Sequence, residues 1–177
     1  MRNHIKLENL YKKYARALYF YLFKLSGSAQ LAEDLTQETF VRATISLNNY
    51  DGEEARAWLF KVARNAYLDE WRKQKLRKSI PFLSYLSSKE ELVSPYGIPD
   101  ETLLMQEQYK QLEDLLQFLP EQYRSILYLR EFEEFSYKEI MDALQLTEDH
   151  VKVTLYRARK RLADLAKKKG WDYEGME

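Results

Sequence analysis

Cysteine is absent from this chain of 177 residues, and glycine and proline are scarce, at five and four residues. The absence of cysteine excludes a disulfide framework, thiol chemistry and the usual structural zinc sites, and it fits a reducing compartment. Residues that break helices are few, and no run of alternating polarity is long enough for a convincing strand. The sequence therefore predicts an all-α fold, in one domain or two small ones.

Long apolar runs are also lacking. Residues 17–23 are apolar, but Arg16 and Lys24 bracket this run of seven, which is far short of the roughly 20 residues that span a bilayer. The N-terminal segment has no uninterrupted apolar core of the signal-peptide type. These features predict a soluble, cytoplasmic protein.

Neither sign of charge is in excess, since 28 basic residues balance 28 acidic ones. The cations are nevertheless concentrated. Residues 61–78 contain seven Lys or Arg against two acids, and residues 152–169 contain eight against one. Two separate basic segments favour two contacts with a polyanion, although segregated charge is also common in helical proteins without such a partner.

A change of composition divides the chain. Three of the four prolines and half of the ten serines fall within residues 79–99, which predicts a linker between two small helical domains, residues 1–78 and 100–177. In the first domain, helices are predicted over residues 5–25, 29–47 and 53–76.

The second domain is predicted to open with a helix that Asp100 caps and that ends near Phe118. Pro120 then takes the first position of the next helix, where its missing N–H costs nothing. That helix is predicted to run from Glu121 to Glu131.

The segment SYKEIMDALQLTEDHVKVTLYRARKR, which begins at Ser136, has the pattern of a helix-turn-helix. Ser136 and Glu139 form a capping box, and Thr147 suits the N-cap of the second helix. Val151 and Leu155 face inward from that helix, while its cations lie mostly around the other faces. A helix buried on one side and basic on the other fits the major groove of a duplex.

The motif by itself leaves DNA binding open, because amphipathic helix pairs with charged outer faces occur in many all-α proteins. Gln145 also stands in the turn where many such motifs have Gly, and a non-Gly residue at positive φ costs roughly 1–2 kcal/mol. Either the turn is wider here or Gln145 stays right-handed.

The helix predicted over residues 53–76 is rich in both aromatic and basic side chains. Binding of single-stranded DNA requires aromatics that stack on bases beside cations that hold phosphate. Trp58 and Phe60 are more simply explained as core residues. The exposed candidates that remain are Arg64, Asn65, Arg72 and Lys73.

Four segments, taken in order, together resemble a bacterial RNA polymerase sigma factor of the extracytoplasmic-function class. They are similar to the family's clamp-binding helix, its −10 element segment, the opening of its −35 domain and its recognition helix. The segments are LAEDLTQETFVRA at 31–43, ARAWLFKVARNAYLDEWRKQK at 55–75, LPEQYRSILYLREFEEFSYKEI at 119–140 and HVKVTLYRARKRL at 150–162.

The resemblance implies roles for individual residues on the polymerase side and at the −10 element. Acidic and amide side chains suit a basic coiled-coil partner, and the clamp-facing positions match Asp34, Gln37 and Glu38. The family captures an extruded base of the melted −10 element, and the matching pocket is the loop 48–54, with Asn48, Tyr50 and Asp51, together with Arg64 and Asn65. Arg72 and Lys73 complete the predicted −10 contacts.

The resemblance also implies contacts with the −35 duplex. The matching positions are Lys152, Val153, Tyr156, Arg157 and Arg159. Val153 and Thr154 depart from the pattern, because the family often has Ser and Arg there. This departure affects the expected −35 sequence preference but not the expected fold or class.

As a member of this class, the chain would be a dissociable subunit that binds core RNA polymerase and promoter DNA, with no small-molecule substrate, cofactor or reaction of its own. It would also have an anti-sigma factor, which in this class is often membrane-anchored. The main alternative is a stand-alone helix-turn-helix regulator. A helical enzyme is not supported, because the sequence contains no nucleophile–base pair and no glycine-rich phosphate loop. A metal site is not expected either, because His4 and His150 stand outside any Glu-x-x-His motif.

Overall fold

The computed structural model describes residues 2–46, 53–78, 111–112 and 114–170. Every regular element within these residues is helical, which confirms the predicted all-α class. The chain divides into two compact units, Met1–Gly97 and Ile98–Glu177. The predicted linker, residues 79–99, lies outside the described residues.

The described residues of the first unit form three helices, and each packs against the other two. The predicted helix ends differ from the observed ones by at most three residues. Gly27 separates the first two helices at a φ of 67°, a left-handed conformation that glycine adopts without steric cost. The helices are α1 (Arg2–Ser26), α2 (Ala29–Ser46) and α3 (Glu53–Lys78).

The core of this unit is built on a stripe along α1. Leu18, Tyr21 and Leu25 recur at helical spacing and are buried, as the sequence pattern predicts. The Tyr21 ring lies against Phe60 of α3, with ring centroids 5.2 Å apart. Phe60 is therefore a core residue, as predicted, while Trp58 is half-buried.

Two buried threonines allow α2 to pack one face fully into this core. The Oγ1 of Thr36 donates to the Ala32 carbonyl at 2.6 Å, and the Oγ1 of Thr39 donates to the Leu35 carbonyl at 2.7 Å. Both hydroxyls are satisfied inside the helix and need no water. The opposite face of α2 is left to solvent.

The second unit contains a short helix, a π-helical turn and the helix-turn-helix, with residues 111–112 and 114–116 also helical. Most of the helix predicted from Asp100 lies outside the described residues. The elements are α4 (Glu121–Leu127), the π-turn (Tyr128–Phe132), α5 (Tyr137–Leu144) and α6 (Glu148–Lys168), and α4 and α5 both pack on α6.

The predicted start of α4 at Glu121 is confirmed, but the predicted place of Pro120 and the predicted end at Glu131 are wrong. Pro120 is the N-cap and not the first helical residue, because its ψ of 149° is extended while its carbonyl accepts from Tyr123 and Arg124 N–H, each at 3.0 Å. The α-helix ends at Leu127 and continues as the π-turn, in which the Glu133 N–H donates to the Tyr128 carbonyl at 3.2 Å. One extra residue per turn shifts the face that follows.

The caps of the helix-turn-helix are as predicted. The Ser136 Oγ accepts from the Glu139 N–H at 3.2 Å, and a Glu139 carboxylate oxygen accepts from the Ser136 N–H at 2.8 Å. Thr147 caps α6 by accepting from the His150 N–H at 3.3 Å. Local hydrogen bonds therefore begin both helices where the sequence places them.

The expectation that the turn is wider or that Gln145 stays right-handed is wrong. Gln145 adopts the left-handed conformation, with φ 56° and ψ 49°, and the Leu146 N–H closes the end of α5 on the Met141 carbonyl at 3.1 Å. This is the hydrogen-bond pattern of a Schellman ending, which requires a left-handed residue. The tight turn outweighs the steric cost of the Gln145 side chain.

Candidate functional site

The solvent-facing side of α2 presents the three residues predicted to bind polymerase. Asp34, Gln37 and Glu38 are all exposed, and because they are three and four residues apart they share one face of the helix. Glu38 accepts a hydrogen bond from the Arg42 guanidinium, which also lies 4.0 Å from a carboxylate oxygen of Asp69 on α3. This face is therefore polar, with a net negative tendency at its N-terminal end.

Two apolar residues continue this face, and the sequence reasoning missed them. Val41, one turn beyond Gln37, is 62% exposed, and Ile45, four residues further along the helix, is 82% exposed. The sequence signals their exposure only by their position, since neither lies on the helical stripe of the buried Leu35 and Phe40.

The residues predicted to contact the −10 element are spread along α3. Arg72 and Lys73 are exposed, whereas Arg64 and Asn65 are half-buried. Asn65 and Arg72 are seven residues apart, so they lie on one side of the helix. A hydrogen bond of 3.2 Å joins Arg72 to Asp69. The other members of this set, Asn48, Tyr50 and Asp51, lie outside the described residues.

Trp71 adds an exposed aromatic ring to this basic segment. Its side chain is 48% exposed, and the Lys75 ammonium lies 5.1 Å from the ring centroid, within the range of a cation–π contact. Exposed aromatics beside cations are the chemical components of a single-strand surface.

The residues predicted to read the −35 duplex occupy the outer side of α6. Val151 and Leu155 face the core, as predicted, and so does Ala158. Tyr156 is the most exposed large apolar residue of this helix, at 68%. The other predicted contacts, Lys152, Val153 and Arg157, are exposed, and Arg159 is half-buried.

Two carboxylates that sequence reasoning missed hold two of these cations. The Lys152 ammonium lies 2.8 Å from the Glu148 carboxylate, and this hydrogen bond, followed by the charge attraction, lowers the pKa of Glu148 and raises the pKa of Lys152. Arg159 donates from Nη2 at 2.7 Å and from Nε at 3.1 Å to one oxygen of Glu131, in the π-turn. The spacing of four signals the first pair, but no sequence pattern signals the second.

Two further observations concern only the part of the chain that the structure describes. There, no three acidic or histidine side chains are grouped as metal ligands would be. None of the described helices combines the length and the apolar character that a membrane span requires.

Family models match both units. The model for Sigma-70 region 2 matches residues 10–77, and the model for Sigma-70 region 4 matches residues 109–162. These segments cover most of α1, all of α2 and nearly all of α3 in the first unit, and the helix-turn-helix as far as Leu162 of α6 in the second.

Full-length relatives match across both units. The ECF RNA polymerase sigma factor SigM of Bacillus subtilis is 34% identical over 160 residues, which cover 90% of this chain and 94% of SigM. The RNA polymerase sigma factor YlaC of the same organism is 32% identical over 164 residues, which cover 92% of each chain.

Solved structures share the fold. The sigma factor RpoE, in its complex with the anti-sigma factor NepR from Bartonella quintana, matches with a TM-score of 0.70 at 24% identity, over 92% of this chain and 97% of RpoE. CnrH, in complex with the cytosolic domain of CnrY, matches with a TM-score of 0.64 at 20% identity, over 92% and 88% of the two chains. Likeness at such identities concerns the fold alone.

Proposed function

This chain belongs to the extracytoplasmic-function family of RNA polymerase sigma factors, which direct the polymerase to promoters, and we propose that its two units divide this work. The first unit binds core polymerase and the melted −10 element, and the second binds the −35 duplex. A stand-alone regulator is not favoured, because such a protein would have no use for the region-2 segment at residues 10–77.

The polymerase contact is proposed to lie on α2, at Asp34, Gln37 and Glu38. The observation that carries this proposal is that all three are exposed on one helical face, directly opposite the buried threonines and Phe40. Carboxylate and amide groups on a rigid helix suit a basic helical partner, since complementary charge steers association and sets register.

The −35 contact is proposed to use the outer side of α6. Val153 and Tyr156 offer apolar surface to base edges, such as the methyl group of thymine. Arg157 is suited to guanine or phosphate, because a guanidinium can donate two parallel hydrogen bonds. Lys152 and Arg159 extend the same surface toward the phosphate backbone.

The −10 contact is proposed to combine the segment after α2 with the outer side of α3. Asn65 supplies an amide that can donate to and accept from an extruded base. Arg64, Arg72 and Lys73 supply positive charge for the strand backbone. Asn48, Tyr50 and Asp51 remain predicted members of this site.

We further propose that an anti-sigma factor controls this protein by covering the polymerase-binding face of α2. The structural relatives RpoE and CnrH were solved in complex with NepR and with the cytosolic domain of CnrY. Sigma factors are generally not enzymes, and this chain is proposed to drive promoter opening by binding free energy without catalysing a reaction. Its site of action is the cytoplasm, where the polymerase and the promoter are.

The test is a pull-down of purified core RNA polymerase with the full chain. Replacing Gln37 and Glu38 together by alanine is expected to abolish the tight binding that the wild type shows. The matched control replaces Glu8 and Asn9 by alanine, because this pair also removes one acid and one amide from neighbouring exposed positions, on α1.

Retention by the control and loss by the Gln37/Glu38 variant, with both proteins folded, would support the proposal. Equal binding by the wild type and the Gln37/Glu38 variant would show that the contact lies elsewhere. A folded wild type that does not bind polymerase would refute the proposed function.

A further inference from the structure

The three cations of the proposed −35 surface differ in what holds them. Arg157 has no hydrogen-bond or ion-pair partner among the described residues. Lys152 and Arg159, on either side of it along α6, are each engaged by a carboxylate of the same unit. The charge that a duplex meets is therefore smaller than the sequence of α6 suggests.

Glu148 stands in the first turn of α6, one turn before Lys152. The positive end of the helix dipole favours a carboxylate there, and the Lys152–Glu148 contact of 2.8 Å is made with both side chains more than half exposed. In a recognition helix the N-terminal residues lie nearest the base edges. Because the Glu148 carboxylate contacts the Lys152 ammonium, its charge would lie beside any phosphate that Lys152 binds.

Glu131 reaches Arg159 from a different element, the π-turn, 28 residues away in sequence. The Nε and Nη2 groups of Arg159 both point at one Glu131 oxygen. These two donors form one of the edges by which a guanidinium binds phosphate in bidentate fashion. While this contact is made, that edge of Arg159 is unavailable to DNA.

We propose that Glu131 and Glu148 are affinity-setting residues that compete with DNA phosphate for Arg159 and Lys152. This inference rests on the proposed function of α6. Sequence-independent affinity for a duplex arises from the release of counterions as cations neutralise phosphates, and a cation already neutralised by a carboxylate contributes less. The two acids thereby weaken binding to DNA of any sequence, and stable attachment requires the further contacts of the polymerase complex.

The experiment measures binding of the full chain to a short mixed-sequence DNA duplex by fluorescence anisotropy, over a series of salt concentrations. The variants are Glu131→Gln, Glu148→Gln and the double variant. Each is expected to bind more tightly at low salt, and the slope of log K against log salt is expected to steepen by up to about 0.9 per released cation.

Two matched controls remove the same charge nearby without freeing a cation. Asp142→Asn changes an exposed acid on α5, the other helix of the helix-turn-helix, and Glu134→Gln changes the loop beside the π-turn. Among the described residues neither acid forms an ion pair, so both slopes are expected to stay at the wild-type value. An increase in slope confined to Glu131→Gln and Glu148→Gln would support the proposal.

Slopes equal to those of the controls, or weaker binding by the glutamine variants, would overturn the proposal. If a thermal melt shows that Glu131→Gln does not fold, Glu148→Gln alone tests the proposal, because Glu148 is exposed and its replacement leaves the core intact. A parallel pull-down with core polymerase separates this inference from the proposed function. If the wild type does not bind core polymerase, the proposed function is contradicted. If polymerase binding is normal but the slopes of log K against log salt do not change, only the proposed competition with DNA phosphate is contradicted.

Discussion

The ring of Tyr11 on α1 meets the ring of Phe40 on α2 edge-on, with centroids 4.9 Å apart and planes at 61°. Tyr11 remains exposed on one side, whereas only 6% of Phe40 is accessible to solvent. Edge-to-face pairs stabilise a defined ring geometry in addition to the area they bury. This contact holds the rotation of α2 about its axis, so that Gln37 and Glu38 point to solvent.

Replacing Phe40 by alanine is expected to lower the free energy of unfolding by about 3–5 kcal/mol, because a buried ring is lost and a cavity remains. Urea denaturation of the full chain measures this change. Val41→Ala on the neighbouring exposed position is the control, expected to stay within about 0.5 kcal/mol of the wild type. A similar decrease in the free energy of unfolding for the two variants would show that Phe40 does not hold α2 in place.

Replacing Gln145 by glycine is expected to stabilise the helix-turn-helix. The left-handed backbone at Gln145 costs a residue with a Cβ roughly 1–2 kcal/mol, and the greater chain entropy of glycine offsets part of the gain. A net increase of about 1 kcal/mol is expected in the free energy of unfolding. Gln145→Ala keeps the Cβ and should change little; if alanine and glycine gave equal stability, strain at this residue would be excluded.

Replacing Arg157 by alanine is expected to weaken binding of the polymerase complex to a −35 element by about 1–3 kcal/mol, the usual loss for a residue that contacts a base. Core polymerase binding should be unchanged, since α6 lies outside the proposed polymerase contact. Lys167→Ala, in the last turn of the same helix, controls for loss of one positive charge. Equal effects of the two variants would mean that Arg157 contributes only general charge.

Caps and periodic apolar stripes could be predicted because their causes are local. Ser136 with Glu139, and Thr147 with the His150 N–H, satisfy backbone groups within one turn. The α1 stripe depends only on helical spacing. The family-like segments placed the exposed residues of α2 and α6 correctly on their helices, although their roles remain predictions.

The misses share a different cause. These misses are Pro120 as a cap, the π-turn and the left-handed Gln145. Each results from how a chain segment must bend to pack against its neighbours. At such positions the conformational preference of a single residue is outweighed. The pairing of Glu131 with Arg159 joins residues 28 positions apart, which no helical period connects.

The order of amino acids thus determined by itself where the helices begin, which faces they bury and which family the chain resembles, because those properties depend on neighbours within a few residues. Only the tertiary structure decided which cations of α6 are already engaged and that the backbone of Gln145 is left-handed. Those properties depend on groups that packing brings together from distant parts of the chain.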